Sequence, residues 1–235
     1  MNSVFYFFYF LSIISYSQNP VLIKYGVTAL AKDSNMERLT LQMCPNLYTV
    51  VNDLDFYLYI NYSLSVFHID EKLKNDFSTE IKLAKLKAGY NGETLIKNDS
   101  IYMFNFANYL EKDLILKKEK KINWNITNEI KLINDLTCIK AETIIEIKNN
   151  KGVFKNTIIA WFCPIINFSY GPLGYCGLPG LILELQTQDF VYGAKNIEFN
   201  YNSNYNIPKI IADKAIDKLE FENKLNNYRE ELKKQ

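Results

Sequence analysis

The sequence shows no excess of charge of either sign. It contains 27 lysines and arginines against 26 aspartates and glutamates, which gives a formal net charge of +1 at pH 7. Nucleic-acid-binding domains usually carry an excess of positive charge, because their lysines and arginines neutralise phosphates. The charge balance therefore excludes a protein built to bind polyanions, and we expect no nucleic-acid partner.

Histidine, glycine and proline are also scarce. The 235 residues include 1 histidine, 9 glycines and 6 prolines. A Ser-His-Asp site would depend on His68 alone, and this residue follows a predicted strand, where we expect it at the surface. No Gly-rich loop joins a strand to a helix, so the sequence contains neither a Rossmann fingerprint nor a P-loop. We therefore recognise no catalytic set, and we expect no cofactor.

Apolar and aromatic residues are abundant. Hydrophobic residues make up 48% of the chain and aromatic residues 14%, with 17 tyrosines and 15 phenylalanines. This apolar content excludes a disordered chain and supports a packed core. Because aromatic residues are enriched in strands and glycine is depleted there, the composition favours a sheet.

A short apolar run lies at the N-terminus. Val4–Ile14 is almost unbroken, and it is shorter than the roughly 20 residues that a bilayer crossing needs. Ser15 and Ser17 provide the small residues of a cleavage site, so residues 1–17 are predicted to be a secretory signal peptide. No basic residue precedes the run, and a buried N-terminal segment or an uncleaved anchor are the alternatives. We expect an exported protein that is periplasmic, outer-membrane-associated or secreted.

Period-two alternation predicts most of the remaining chain to be strands. Apolar residues alternate over Phe56–Phe67, which is the clearest strand. Cys138–Ile147 and Thr157–Phe162 flank an Asn/Gly cluster and predict a hairpin. Lys117–Lys121 is predicted to be an exposed turn. Further strands are predicted at Ile101–Ala107, Leu114–Leu116, Ile122–Thr127, Leu181–Gln186 and Ile197–Tyr201.

The period changes after Pro208. From Lys209 onward, apolar residues recur at three-to-four spacing with charged residues between them, which predicts an amphipathic helix over 209–235. Packing against the sheet is the expected role, and a frayed tail or a partner-binding helix are the alternatives. Strands followed by a helix predict an α+β fold with a mainly antiparallel sheet. The predicted β-rich domain is 18–208.

Glycine and proline are concentrated in one loop, between Gly171 and Gly180. Pro179 and Gly180 suit the second and third positions of a type II turn. The loop is interpreted either as a rigid connection between strands or as the shaped rim of a binding cavity. Its constrained residues are Gly171, Pro172, Gly177, Leu178, Pro179, Gly180, Leu181 and Ile182.

On these residues the chain resembles the GLPGLI family of Bacteroidetes envelope proteins, which is named after the hexapeptide Gly177–Ile182. The resemblance extends over roughly residues 55–190. It includes Ser65-Val66-Phe67, Trp124-Asn125-Ile126-Thr127, Cys138-Ile139-Lys140-Ala141-Glu142-Thr143, Ala160-Trp161-Phe162 and Gly171-Pro172.

The resemblance implies an exported, β-rich protein of a Bacteroidetes-type bacterium, and it implies no activity. A curved sheet, bowl-like or resembling a half-barrel and backed by helices, is the expected form, in part by analogy with envelope carrier folds. Two positions depart from the family pattern. Asn167 stands where the family usually has proline, and Cys163 stands where it usually has a small polar residue.

Export would permit disulfides among the four cysteines. Cys163 and Cys176 bracket the Gly/Pro loop, and a bond between them would close a loop of about 14 residues, worth roughly 3 kcal/mol. Cys44 and Cys138 would then form the second bond. Metal binding and a nucleophilic cysteine are less favoured interpretations, because there is no Cys-x-x-Cys and only one histidine, and we expect no metal site.

Two functions of different classes remain open. The first is a non-catalytic binding or carrier module for an apolar ligand, a glycan or an envelope protein, with Trp124 and Trp161 either as core anchors or as stacking platforms. The alternative is an extracytoplasmic hydrolase that uses a carboxylate pair, either Asp53 with Asp55 or Glu142 with Glu146. The sequence does not indicate the oligomeric state.

Overall fold

A computed structural model describes residues 19–62, 64–74, 76, 78–98, 100–106, 114–119, 121–149, 152–202, 206–207 and 214–233. The predicted signal peptide, residues 1–17, lies outside this part of the chain. Within the described residues, no helix has both the length and the hydropathy that a membrane crossing requires.

The described strands form one sheet. They are β1 (Val21–Ala29), β2 (Asp55–Asn61), β3 (Leu64–Ile69), β4 (Glu93–Lys97), β5 (Ser100–Phe104), β6 (Ile115–Glu119), β7 (Asn125–Ile133), β8 (Leu136–Asn149), β9 (Gly152–Cys163), β10 (Leu181–Gln186), β11 (Phe190–Phe199) and β12 (Ala215–Ile216). The helices are α1 (Asn35–Met43), α2 (Leu47–Asn52), α3 (Glu71–Lys74), α4 (Thr79–Lys87) and α5 (Lys218–Lys233).

The sheet is mainly antiparallel, as predicted. Its order is β12-β6-β5-β4-β3-β2-β1-β11-β10-β9-β8-β7, so β12 and β7 are the edges of the described sheet. Ala215 and Ile216 pair with Ile115 and Leu116 in parallel, and all the other described strand pairs are antiparallel.

Tight turns account for the hairpins. Asn134 and Asp135 join β7 to β8 with φ values of 49° and 62°, and two consecutive positive φ values are the signature of a type I′ turn. Asn tolerates this conformation because its short polar side chain can bond locally. The chain also reverses after Tyr62, whose φ is 50°.

Three sequence predictions are wrong. Phe56–Phe67 is not one strand, because β2 ends at Asn61, which pairs antiparallel with Leu64 at the start of β3. The reversal places Phe67, and not Val66, on the face of Leu58. Lys117–Lys121 is not a turn, since β6 continues to Glu119. The sheet does not end at Pro208, because β12 follows it, and the helix therefore cannot extend without interruption from Lys209.

Asp217 marks the start of α5. Its carboxyl oxygen accepts a hydrogen bond from the backbone N–H of Glu220 at 2.8 Å, which satisfies one of the unpaired donors at a helix N-terminus. Phe221 on the first turn packs edge-on against Phe106, with ring centroids 5.9 Å apart.

The main core lies on one face of the sheet and is rich in aromatic rings. Phe56 on β2 stacks on Phe67 of β3 at 5.6 Å, and it also contacts Tyr192 of β11 at 5.0 Å. Helices α2 and α4 contribute buried residues to the same core, among them Leu47, Val51 and Ala84.

The buried phenols of this core are hydrogen-bonded. Tyr25 donates to the carbonyl oxygen of Ile182 at 2.6 Å, and Tyr192 donates to that of Ala88 at 3.1 Å. Burial raises the pKa of both phenols well above the usual value. They therefore stay protonated and act as donors.

Candidate functional site

Glycines shape the loop between β9 and β10, residues 164–180, which we call the β9–β10 loop. A Cβ added at Gly180 would lie 2.3 Å from the carbonyl oxygen of Cys163, and the φ of Gly180 is +155°. A Cβ added at Gly171 would lie 2.7 Å from Cβ of Ile182. Both positions therefore exclude any side chain.

Backbone hydrogen bonds brace this loop from within. The N–H of Gly177 donates to the carbonyl oxygen of Ser169 at 3.2 Å and to its Oγ at 3.1 Å. The N–H of Ile182 donates to the carbonyl oxygen of Tyr170 at 3.0 Å. Many backbone N–H and C=O groups of the loop are thus hydrogen-bonded within the protein, which is a requirement for a buried segment.

The predicted type II turn is replaced by a tighter one. Gly180 donates to the carbonyl oxygen of Leu178 at 2.9 Å, which closes a three-residue turn centred on Pro179. Leu181 N–H donates instead to Ile166, at 3.0 Å. The turn residues were identified correctly, and the turn type was wrong because the long-range bond to Ile166 has no sequence signal.

The β9–β10 loop packs on the core face of distant strands. A Cβ added at Gly174 would lie 3.2 Å from Cγ2 of Ile101 on β5 and 3.7 Å from Cβ of Thr94 on β4. Pro172 and Leu178 are buried, whereas Pro179 is exposed. This arrangement favours a rigid loop that covers the core over the rim of an open cavity.

The two tryptophans lie in different surroundings. Trp124 Nε1 donates to the carbonyl oxygen of Cys176 at 2.8 Å, and its ring lies 6.2 Å from that of Tyr175. Trp161 lies on β9 under the ammonium group of Lys131, which is 4.4 Å from the ring centroid. Trp124 is thus an anchor for the β9–β10 loop, and the two rings do not form one stacking platform.

All four cysteines are buried and carry free thiols. The predicted bonds Cys163–Cys176 and Cys44–Cys138 are therefore not present. Cys176 pairs through its backbone with Tyr170, and the Cys44 thiol donates to Asn46 Oδ1 at 3.4 Å.

One thiol pair is in contact. The Cys163 thiol lies close enough to that of Cys138 to interact with it electrostatically, and the Cys138 thiol itself donates to the carbonyl oxygen of Leu136 at 3.5 Å. Burial, together with the neighbouring Cys163 thiol, raises the pKa of Cys138 to about 12. Cys138 is therefore protonated at neutral pH, which opposes a nucleophilic role.

The carboxylates proposed as acid/base pairs are held by lysines instead. Asp55 accepts from Lys24 at 2.7 Å and from Lys195 at 3.0 Å. Burial opposes ionisation of Asp55, but these two ammonium groups outweigh it and hold the pKa of Asp55 below its usual value. Asp53 lies at the exposed C-terminus of α2.

Each member of the second predicted pair also lies near a lysine. Glu142 lies 2.7 Å from the ammonium group of Lys140, and Glu146 lies 3.6 Å from that of Lys155. Among the described carboxyl groups, every resolved pKa shift is downward, and these shifts belong to Glu37, Asp55 and Asp76. A general acid at neutral pH requires the opposite shift.

His68 is buried, so its predicted surface location is wrong. It lies within β3 and stacks on Tyr57, with ring centroids 5.8 Å apart. Its Nδ1 lies 2.9 Å from the carbonyl oxygen of Ile69. Desolvation lowers the pKa of His68 below 6.5, so the imidazole is neutral at pH 7.

A buried carboxylate that no sequence pattern indicates lies beside His68. Glu93 on β4 is 3% exposed, and its Oε1 lies 3.2 Å from Lys74 Nζ and 3.0 Å from Asn105 Nδ2. The β3–β4 register, continued one position beyond Phe67 and Thr94, brings Glu93 next to His68. The sequence predicts no strand at β4, so no pattern marks Glu93. Among the described residues, His, Cys, Asp and Glu side chains form no group of three or more suited to a metal ion.

The opposite end of the sheet exposes large apolar side chains. Ile130 and Leu132 on β7 are 65% and 68% exposed, and Ile144 on β8 is 61% exposed. β7 pairs only with β8 among the described strands. We call Ile130 and Leu132, which lie on the same face of the edge strand β7, the apolar corner. Ile126, Ile144, Val153 and Phe154 are also exposed, but the β7–β8 and β8–β9 registers place Ile144 and Val153 on the opposite face of the sheet.

One protein family matches part of the chain. The family described as "Protein of unknown function (Porph_ging)" matches residues 148–184. This segment contains the end of β8, all of β9, the β9–β10 loop and the start of β10. The match supports a Bacteroidetes-type family of unknown function. No curated protein matches the chain.

Solved structures show a similar fold. The structure of PNGF-II in a C2 space group is 18% identical with a TM-score of 0.54, and the alignment covers 88% of this chain and 32% of that one. PNGF-II in a P21 space group is 18% identical with a TM-score of 0.49, covering 87% of this chain and 33% of that one. The chain thus spans about a third of the length of the structures it matches. At this identity the first similarity shows the fold alone.

Proposed function

We propose that this chain is an exported, envelope-associated binding module without catalytic activity, and that it binds a partner protein through the apolar corner. The observation that carries the proposal is the exposure of Ile130 and Leu132 on one face of the edge strand β7. Large apolar side chains exposed next to each other mark interaction surfaces more often than they occur on an isolated monomer.

A protein partner fits this surface better than a glycan or a small apolar ligand. Small ligands bind in concave sites, and the β9–β10 loop packs onto the core face near Ile101 and Thr94. An edge strand such as β7 offers unpaired backbone groups to another chain. The alternative, a hydrolase, has little support, because Asp55 is ion-paired to two lysines and its pKa is lowered.

We also propose that the chain is a member of the GLPGLI family and that its sheet is curved. The hexapeptide Gly177–Ile182 lies inside the matched segment 148–184, which supports membership of the GLPGLI family. Gly174 of the β9–β10 loop approaches Ile101 on β5, although β3, β2, β1 and β11 separate β4 from β10 in the sheet. This approach supports a bowl-like sheet that curves around the loop. The N-terminal apolar run supports export.

Site-specific photo-crosslinking in a Bacteroidetes host tests the binding surface. A photoreactive amino acid is placed at Ile130 or Leu132 of the full chain, and Leu86 on α4, which is 72% exposed, is the matched control position. We expect discrete protein adducts from the two corner positions and none from Leu86. Equal labelling from all three positions, or no adducts from the corner, would contradict the proposal. Cell fractionation of the same strains tests export separately.

A further inference from the structure

We propose that Cys138 and Cys163 form a disulfide across β8 and β9 when the protein folds under oxidising conditions. The proposal rests on the export part of the proposed function, because disulfides persist mainly in oxidising compartments. It replaces the pairings predicted from the sequence, which joined Cys163 to Cys176 and Cys44 to Cys138.

The strand register places the two residues opposite each other. Along the β8–β9 pair, Lys140 faces Trp161 and Ile139 faces Phe162. The next position in this antiparallel register brings Cys138 opposite Cys163. Directly opposed residues in such a ladder have Cα atoms about 4.5–5.5 Å apart, and disulfides span about 4.4–6.8 Å. These ranges overlap, so the spacing expected for the pair is compatible with a disulfide.

The two side chains also meet on the same face of the sheet. Cys138 and Cys163 are both fully buried, and their thiols lie close enough to interact electrostatically. Residues opposite each other in an antiparallel pair project to the same side, so the register directs the two thiols toward each other. The strand register and the proximity of the thiols thus indicate the same pair.

The other two cysteines, Cys44 and Cys176, lie in other parts of the fold. Cys176 forms a backbone bridge with Tyr170, and its carbonyl oxygen accepts the bond from Trp124. Cys44 lies between α1 and α2, where its thiol donates to Asn46. Neither stands opposite Cys138 or Cys163 in the β8–β9 register.

The oxidation is a thiol–disulfide exchange with a disulfide oxidant, for which oxidised glutathione is the probe. One cysteine thiolate attacks a sulfur of oxidised glutathione, breaks its S–S bond and releases one glutathione thiolate. The second cysteine then attacks the mixed disulfide and expels the other glutathione. In total, two thiols lose two electrons and two protons, and one glutathione disulfide becomes two glutathione thiols.

Because both sulfurs are buried in the folded protein, we expect the reaction to occur during folding. In the folded protein both sulfurs are inaccessible to solvent. An oxidant therefore reaches the pair before β8 and β9 pack into the sheet, during folding. The folded, reduced protein should in turn react slowly with the same oxidant.

Oxidative refolding tests the pairing. The full chain is unfolded and reduced, refolded in a buffer of oxidised and reduced glutathione, and digested without reduction for mass spectrometry. We expect a linked peptide pair containing Cys138 and Cys163, with Cys44 and Cys176 recovered as free thiols. A Cys163–Cys176 linkage, or four free thiols in the refolded protein, overturns the proposal.

Two double variants keep the test decisive if the native chain refolds poorly. Cys44→Ala with Cys176→Ala retains only the proposed pair and should lose two hydrogens in mass. Cys138→Ala with Cys163→Ala retains the other two cysteines and should show no such loss. A mass loss in the Cys138→Ala, Cys163→Ala variant, with none in the Cys44→Ala, Cys176→Ala variant, contradicts the pairing. Because refolding in vitro does not involve secretion, a missing bond and a failure of export or of crosslinking are separate outcomes.

Discussion

The indole Nε1 of Trp124 donates a hydrogen bond of 2.8 Å to the carbonyl oxygen of Cys176, 52 residues further along the chain. Trp124 immediately precedes the edge strand β7, and Cys176 lies in the β9–β10 loop. This single bond therefore ties the loop to the segment that enters the β7–β8 hairpin. Cys176 is fully buried, so water cannot easily replace the donor.

Replacing Trp124 with phenylalanine should weaken this attachment. The ring contact with Tyr175 is largely kept, but the buried carbonyl oxygen of Cys176 loses its donor. We expect the free energy of unfolding to fall by about 2 kcal/mol, as measured by urea denaturation. Tyr62→Phe, at a residue that is 67% exposed, is the control and should change it by less than about 0.5 kcal/mol. Equal stabilities of the two variants would show that the bond contributes nothing.

Gly180→Ala should lower the free energy of unfolding far more than the addition of a single methyl group usually does. The new methyl group would lie 2.3 Å from the carbonyl oxygen of Cys163 and 2.9 Å from Cα of Pro164, so backbone has to move. The φ of +155° adds strain for any residue with a Cβ. We expect a loss of about 3 kcal/mol or more in the free energy of unfolding.

Gly193→Ala is the matched control for this substitution. Gly193 lies on β11, and no heavy atom lies within 4 Å of an added Cβ there. A strand alanine is more favourable than a strand glycine by about 0.5 kcal/mol, so this variant should be as stable as the native chain or slightly more stable. Chemical denaturation of both variants at one pH makes the comparison.

The sequence predicts local features better than long-range ones. Alternation and Asn/Gly turn residues predicted the β8–β9 hairpin, because both signals are local in the chain. The same alternation failed at Tyr62, where a tight hairpin reverses the chain and puts Phe67 rather than Val66 on the core face. The surroundings of Glu93 and the contact of Cys138 with Cys163 depend on strand order and register. A single sequence does not encode these in any periodic pattern.

Asp55 should make stability dependent on pH in the acidic range. Its folded-state pKa lies below the ordinary value of 3.8 because Lys24 and Lys195 outweigh its desolvation. A group with a depressed folded pKa stabilises above its unfolded pKa, and this contribution is lost as the pH falls through the folded pKa. Asp55→Asn should therefore cost about 1 kcal/mol at pH 7.

The cost of this variant should shrink as the pH falls below 3.8, the ordinary value for an aspartate. Urea denaturation at several pH values measures the change. Asp135→Asn, in the exposed turn between β7 and β8, is the control. Asparagine tolerates the positive φ of that turn, so this control should change the free energy of unfolding little. A constant difference between native protein and Asp55→Asn across the acidic range would contradict the assigned role of the two lysines.

His68 offers a direct spectroscopic test of the packing between β2 and β3. It is the only histidine in the chain, so its ring signals in an NMR titration need no assignment. Desolvation in the contact with Tyr57 lowers its pKa below 6.5. We therefore expect the imidazole to stay neutral at pH 6.5, with a protonation midpoint at a lower pH. Because an unfolded histidine binds its proton more readily, the stability that His68 contributes should be lost as the pH falls from 6.5 through the folded midpoint.

The denatured protein in urea provides the reference titration. Coincident midpoints for folded and denatured protein would mean that His68 is exposed to water, and that the burial beside Tyr57 and Glu93 does not hold in solution.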